Sequence, residues 1–313
     1  FPFPVLGDLC KYGYLGVDLF FIISGFVIFM TAHDSTLKAF IASRISRLYP
    51  AYWVAVSLTS AVIMLAGVAP FAVTLKQYLI NMTMLNGFIK VENVDGVYWS
   101  LLVELKFYFF IGLILFFDKM SFIKPIMTSW LILSFAVLFI PHHSPVYKAI
   151  NTIFITDWSS YFIAGMMYYL IRQNGLTYDK VLLLIGSLCL SVCTSLIRMD
   201  ATQAAYSTVF SKEILIGIIV LFYVVFFLIS TDRLDFTNRK VFVQLGALTY
   251  PLYLIHQFMG YILFHRFAAC DKHIVLIAVI ILMLFLSYLI NRLVERKLGP
   301  LLRQKILDIK YGL

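Results

Sequence analysis

Charge is what this chain has least of. Only 13% of its 313 residues are Asp, Glu, Lys or Arg, against about 25% in an ordinary soluble domain. Hydrophobic types make up 62% and the mean hydropathy is +0.92. A water-soluble fold cannot hide that much apolar surface. A soluble globular enzyme, a disordered chain and a disulfide-stapled domain are therefore excluded, and the composition points to a bilayer as solvent. Cysteine is scarce too. Cys10, Cys189, Cys193 and Cys270 show no CxxC spacing, so neither a zinc nor a redox site is expected, and no metal is. Cys189 and Cys193 share a helix face and read as small packing residues. Acidic residues number 16 against 25 basic ones, a net charge of +9. No nucleic-acid-binding pattern accompanies that excess. It reads as cationic loops beside a negative membrane surface. Low-complexity tracts and repeats of 20–50 residues are absent as well.

What is present is a series of apolar stretches near the ~20 residues that a spanning helix needs. Nine are read, at 12–32, 48–69, 98–117, 122–140, 150–171, 181–197, 214–230, 241–264 and 274–294. The fold class expected is all-α, a polytopic integral membrane helical bundle. Segment 71–90 is interrupted by Lys76, Gln77, Asn81 and Asn86 and reads as a surface or re-entrant helix rather than a tenth span. With the N-terminus outside, the cytoplasmic segments carry 16 of the 25 Lys and Arg and the outer segments 8, Lys106 lying within a span. The bias orients the chain N-out, C-in. A chain that starts outside at Phe1 calls for an earlier inside-to-outside span, so the sequence is expected to be an N-terminally truncated form of a protein with about ten spans.

Charges and polar groups at membrane depth are costly, so the exceptions carry the functional reading. Four clusters stand out. In Gly16–Phe26, Asp18 and Ser24 interrupt an apolar span, and Gly25 permits close approach of either a neighbouring helix or a ligand. In Arg44–Trp53, Arg44 and Arg47 share a face three residues apart. They fit either bidentate phosphate donors or a plain positive-inside anchor. In Tyr98–Tyr108, Ser100 and Glu104 are spaced i,i+4 and can line one cavity. Glu104 fits a base, an orienter of a base, a holder of a hydroxylated substrate, or an ion-pair partner. In Gly246–Gln257, Tyr253, His256 and Gln257 are expected on one helix face. His256 reads either as an interhelical hydrogen-bond donor or as a catalyst with polar company.

With these four clusters in this order, the chain resembles the integral-membrane acyltransferase-3 family, which includes many carbohydrate O-acyltransferases. The matching runs are Phe20–Phe26, Arg44–Trp53, Trp99–Glu104 with Phe107-Tyr108, and Thr249–Gln257. A Val-Glu-Arg at 294–296 adds a fifth. The resemblance implies one membrane acyltransferase domain over 1–313, without an added extracytoplasmic hydrolase-like domain. It implies a bacterial inner membrane location with a cytoplasmic C-terminus. It also implies acyl transfer, acetyl being the common group, from cytoplasmic acyl-CoA to a hydroxyl of a cell-envelope or exported carbohydrate. The family's arginine and catalytic histidine, separated by ten intervening residues on a first span, have no counterpart in this sequence. Under this reading Arg44 and Arg47 grip the phosphates of acyl-CoA, and its pantetheine arm passes Ser24, Gly25 and Phe26. Glu104, Asp18 and His256 are the candidate catalytic residues. Tyr98, Trp99 and Ser100 hold the sugar. The competing class is a transporter or flippase of a glycan or lipid-linked substrate, which the composition fits equally. Neither inverted repeats nor paired broken helices support it. A non-catalytic scaffold would not need Arg44, Arg47 and Glu104 together.

Overall fold

A computed structural model describes residues 3, 7, 8, 10–234 and 240–309. Two of the cytoplasmic cations in the charge count, Arg239 and Lys310, lie outside the described residues. The described chain is helical, with no strand. In order the α-helices are α1 (Gly16–His33), α2 (Leu37–Ala66), α3 (Leu75–Asn81), α4 (Trp99–Phe116), α5 (Ile123–Val137), α6 (Pro145–Phe154) and α7 (Ser159–Asn174). Then come α8 (Tyr178–Tyr206), α9 (Lys212–Ser230), α10 (Lys240–Ile255), α11 (Gln257–Arg266), α12 (Lys272–Ile290) and α13 (Arg296–Asp308). A π-helical turn, Asn291–Glu295, joins α12 to α13.

Seven helical stretches among the described residues are long and apolar enough to cross a membrane: Lys11–His33, Leu37–Ala66, Gly96–Phe116, Met120–Val137, Tyr178–Tyr206, Lys212–Ser230 and Lys272–Asp308. They correspond to seven of the nine stretches expected, and the all-helical membrane architecture stands. The other two are broken by side chains that capture backbone groups. The stretch 150–171 breaks between α6 and α7, where Ile155 is left-handed at φ 46°. There Asn151 Oδ1 accepts from the Asp157 N–H at 3.1 Å, and Asp157 accepts from Asn151 Nδ2 at 2.7 Å and from the Tyr147 hydroxyl. The stretch 241–264 breaks at His256, because the Phe258 N–H leaves the helix ladder for Asp95 Oδ2 at 3.0 Å. Segment 71–90 holds only the short α3 and a 3₁₀ turn at Asn86–Ile89. It lies against the middle of α2, where Tyr49 and Trp53 donate to the carbonyls of Thr83 and Met82, both at 2.9 Å.

The chain divides into two compact units. One takes residues 38–105 and 240–309, the other residues up to 37 and 106–234. The second is organised on α7, which is buried from Ser159 to Ile171 without interruption. Its hydroxyls find partners inside: Ser159 on Ser134 at 2.7 Å, Ser160 with Ser191 at 2.8 Å, Tyr161 with Ser195 at 2.7 Å, and Tyr168 on the Tyr223 carbonyl at 2.7 Å. In a bilayer, helix association comes from close packing and such bonds rather than from the hydrophobic effect. Cys189 and Cys193, expected as packing residues, are exposed on α8.

The first unit is built on prolines. Pro50 in α2 and Pro251 in α10 have no N–H, so the carbonyls four residues earlier, Ser46 and Ala247, lose their helical donors. The Ala247 carbonyl takes the Asn291 Nδ2 at 3.2 Å. The Ser46 carbonyl faces Gly299 of α13, close enough that a Cβ there would lie 3.2 Å from it. Carbonyls freed by proline thus become seats for the end of the chain.

Candidate functional site

The first unit brings together most of the site residues expected from the sequence. At the α2 rim, Arg47 Nη1 donates to Glu295 Oε1 at 2.8 Å. Its guanidinium lies 5.4 Å from the ring centroid of Tyr250 on α10. Tyr250 in turn donates to the Leu48 carbonyl at 3.0 Å. Glu295 is only 7% exposed while Arg47 is 43% exposed, so a buried carboxylate holds a cation whose other face is open. Arg44, one turn earlier, donates to Ser43 Oγ at 2.9 Å.

One turn along α10 from Tyr250, the Tyr253 hydroxyl lies 2.7 Å from Ser100 Oγ and donates to the Val97 carbonyl at 2.9 Å. Ser100 and Glu104 are both buried on α4, one turn apart as their spacing requires. Trp99 is 38% exposed. The Tyr98 ring packs edge-on to Tyr52 with centroids 5.1 Å apart, and both residues are buried, so the sugar-stacking role expected of Tyr98 has no open face.

His256 is exposed at the break between α10 and α11, its Nδ1 2.9 Å from the Tyr253 carbonyl. Because the helix ends at Ile255, Tyr253, His256 and Gln257 do not form the single helical face expected from the sequence. The residue that imposes the break, Asp95, was not among the candidates. Its carboxylate accepts from Val97 N at 3.2 Å and Phe258 N at 3.0 Å and is fully buried. Burial raises its pKa to about 6, against the opposing pull of these two N–H groups and of His256. An aspartate before a glycine just ahead of an aromatic run is the N-cap signal that could have found it.

The other sequence candidates lie in the second unit. Asp18 is buried on α1 and takes Arg198 Nη2 at 3.3 Å. Arg198 also donates to the Asp157 carbonyl at 2.7 Å and to Ser195 Oγ at 3.0 Å, and its guanidinium sits 3.8 Å from the Trp158 ring centroid. The span expected over 181–197 leaves Arg198 just outside it, among the outer-segment cations, whereas α8 continues past it to Tyr206. Asp18 is thus the anion of a structural ion pair. Nor does Gly25 make room for a ligand. A Cβ there would lie 2.3 Å from the Phe162 carbonyl oxygen, so α7 occupies the space. Ser24 is buried beside it, and Phe26 meets Tyr169 edge-on at 5.7 Å. The structure gives Ser24-Gly25-Phe26 to helix packing, which explains the small residues without a pantetheine channel.

Searches of curated proteins and of solved structures each return no match. A family model described as "Acyltransferase domain", of the acyltransferase-3 family, matches residues 12–292. That range holds the Ser100–Tyr253 pair, Glu104, Arg44, Arg47 and the first residues of the π-turn. A motif order, a helical membrane architecture and a match over most of the chain agree, and on them the chain belongs to the acyltransferase-3 family of membrane acyltransferases.

Proposed function

We infer that the acyl donor is a CoA thioester and the acceptor a carbohydrate hydroxyl. The observation that carries this is on α10. Tyr250 packs under the Arg47 guanidinium and Tyr253, three residues on, bonds Ser100 above Glu104. A rise of about 1.5 Å per residue puts the two contacts within one helical turn. A phosphate grip and a buried carboxylate thus share one wall. In this reading Arg44 and Arg47 take the donor's phosphates, Glu104 faces the acceptor hydroxyl, and Trp99 stacks on the sugar. The acceptor oxygen attacks the thioester carbonyl carbon. A C–O bond forms, the C–S bond breaks, and the hydroxyl proton ends on the CoA thiol. In this reading the Arg44–Arg47 end and α13 face the cytoplasm, as the charge bias favours, and the membrane is a bacterial plasma membrane, as the family resemblance favours. Acetyl is the group the family resemblance favours.

The test is thiol release from acetyl-CoA by the purified chain in nanodiscs, with and without an added hexose acceptor. Arg47→Ala removes charge-assisted bonds worth roughly 1.5–3 kcal/mol, so CoA binds about tenfold more weakly or worse. Glu104→Gln lowers kcat and leaves CoA affinity unchanged. Equal CoA affinity for wild type, Arg44→Ala and Arg47→Ala would remove the donor assignment. Glycan uptake into vesicles without acyl consumption would favour a transporter.

A further inference from the structure

We propose that Arg296, displayed by the π-helical turn, is a third guanidinium of the donor phosphate site. The proposal rests on the donor reading above and extends it to a residue outside the arginine pair.

The turn supplies the geometry. In an α-helix the residue five positions on lies far round the cylinder from residue i. A π-turn is wider, so positions i+4 and i+5 both fall beside i. Here Asn291 shows the result. Its Nδ2 donates to Glu295 Oε2 at 2.6 Å, and its Oδ1 accepts from Arg296 Nε at 3.1 Å. Asn291 is itself pinned to the Ala247 carbonyl freed by Pro251. Glu295 reaches across to Arg47 at 2.8 Å. One buried side chain, Asn291, therefore fixes both the carboxylate that orients Arg47 and the guanidinium of Arg296. Arg296 is exposed, and only its Nε is engaged among the described residues, which leaves both Nη groups to a ligand. Pro300 reinforces the arrangement, since it cannot donate to the Arg296 carbonyl, and Gly299 lets α13 close on the Ser46 carbonyl beside Arg47.

The charges add up to an anion site. Arg47 and Arg296 both act on one carboxylate, Glu295, and Arg44 stands one turn back on α2, so the three guanidiniums and the carboxylate carry a net charge of about +2 by formal count. Guanidiniums fork to phosphate oxygens. Three of them, on two separate helices, suit a ligand with more than one phosphate group, as CoA has, better than a single phosphate or a carboxylate. A neutral donor would leave the cluster unpaired.

The experiment measures binding of CoA and of pantetheine, which lacks the phosphates, to the full chain in nanodiscs. The variants are Arg296→Gln, Arg47→Ala and Arg303→Gln; Arg303 is an exposed cation on the same helix. Arg296→Gln should weaken CoA about tenfold and leave pantetheine unchanged, while Arg303→Gln changes CoA binding less than twofold. Arg296→Lys keeps the charge but loses the fork to Asn291. It should fall between wild type and Arg296→Gln, and it reads the site if Arg296→Gln does not fold. Equal losses for Arg296→Gln and Arg303→Gln would reduce the effect to long-range attraction and overturn the proposal. Loss in Arg47→Ala with none in Arg296→Gln would overturn it and leave the donor reading standing. No loss in either would remove both.

Discussion

Replacing Gly25 by alanine puts a methyl group where α7 already stands. The new Cβ would lie 2.3 Å from the Phe162 carbonyl oxygen and 2.9 Å from its Cα, both backbone atoms. Ordinary contact begins about 1 Å farther out, and no rotamer change can relieve a clash with backbone. The helices must separate. Gly165 sits at the same crossing, its own Cβ position 2.2 Å from the Ile22 carbonyl oxygen and 2.8 Å from the Gly25 Cα. Separation by about 1 Å would forfeit a quarter to a half of the dispersion energy at each contact along the seam. That seam includes Phe21 on Phe162, with centroids 4.9 Å apart. Overpacking costs roughly 1–3 kcal/mol, and the absence of any soft neighbour puts Gly25→Ala near ~3 kcal/mol. At roughly 2 °C per kcal/mol for a large domain, the melting midpoint in detergent falls by about 6 °C. Gly165→Ala behaves alike. The double variant costs little more than either single one, because one separation relieves both clashes. Thermal unfolding followed by tryptophan fluorescence checks this, Trp158 lying 5.2 Å from Phe21 at the crossing. A Gly25→Ala protein that melts with wild type but loses CoA affinity would refute the packing argument and return the space to the donor.

Arg198→Met strands the buried Asp18 carboxylate and should cost about 3–5 kcal/mol; adding Asp18→Asn should recover most of it in the same unfolding assay. The Asp95 carboxyl, with a pKa of about 6 in the fold against an ordinary 3.8, holds its proton longer folded than unfolded. Its contribution to stability is therefore greatest below about pH 4 and falls as pH rises through 6, by roughly 3 kcal/mol in all. Stability measured from pH 4 to 7 should show that decline and lose it in Asp95→Asn; an unchanged slope would refute the assignment. Tyr253→Phe removes the hydroxyl shared by Ser100 and the Val97 carbonyl and should destabilise the first unit by about 1–3 kcal/mol, read as an earlier melting midpoint.

The membrane class and the places of seven spans were legible because each is a local property, about 20 apolar residues in a row. The two stretches that broke did so through partners elsewhere in the chain or in a turn. Asp95 takes a backbone N–H 163 residues away, and no window on 241–264 contains it. The pairing of Arg47 with Glu295 spans 248 residues and that of Arg198 with Asp18 spans 180. Each arginine alone looked like a loop cation or an anchor. Gly25 shows the same limit from the other side. A glycine announces close approach, but only the fold says whether a helix or a ligand makes it.

By itself, then, the sequence determined the solvent, the helical class, most of the spans and the motifs that mark the family, since hydropathy and motif order need no knowledge of neighbours. Tertiary structure alone decided which buried charges are paired off and which stay open. Asp18 is neutralised by Arg198, Glu295 steadies Arg47, and a turn one residue wider than an α-helix brings Arg296 to the same rim. A charge in a low-dielectric interior takes its meaning from its partner, and the partner is chosen by packing.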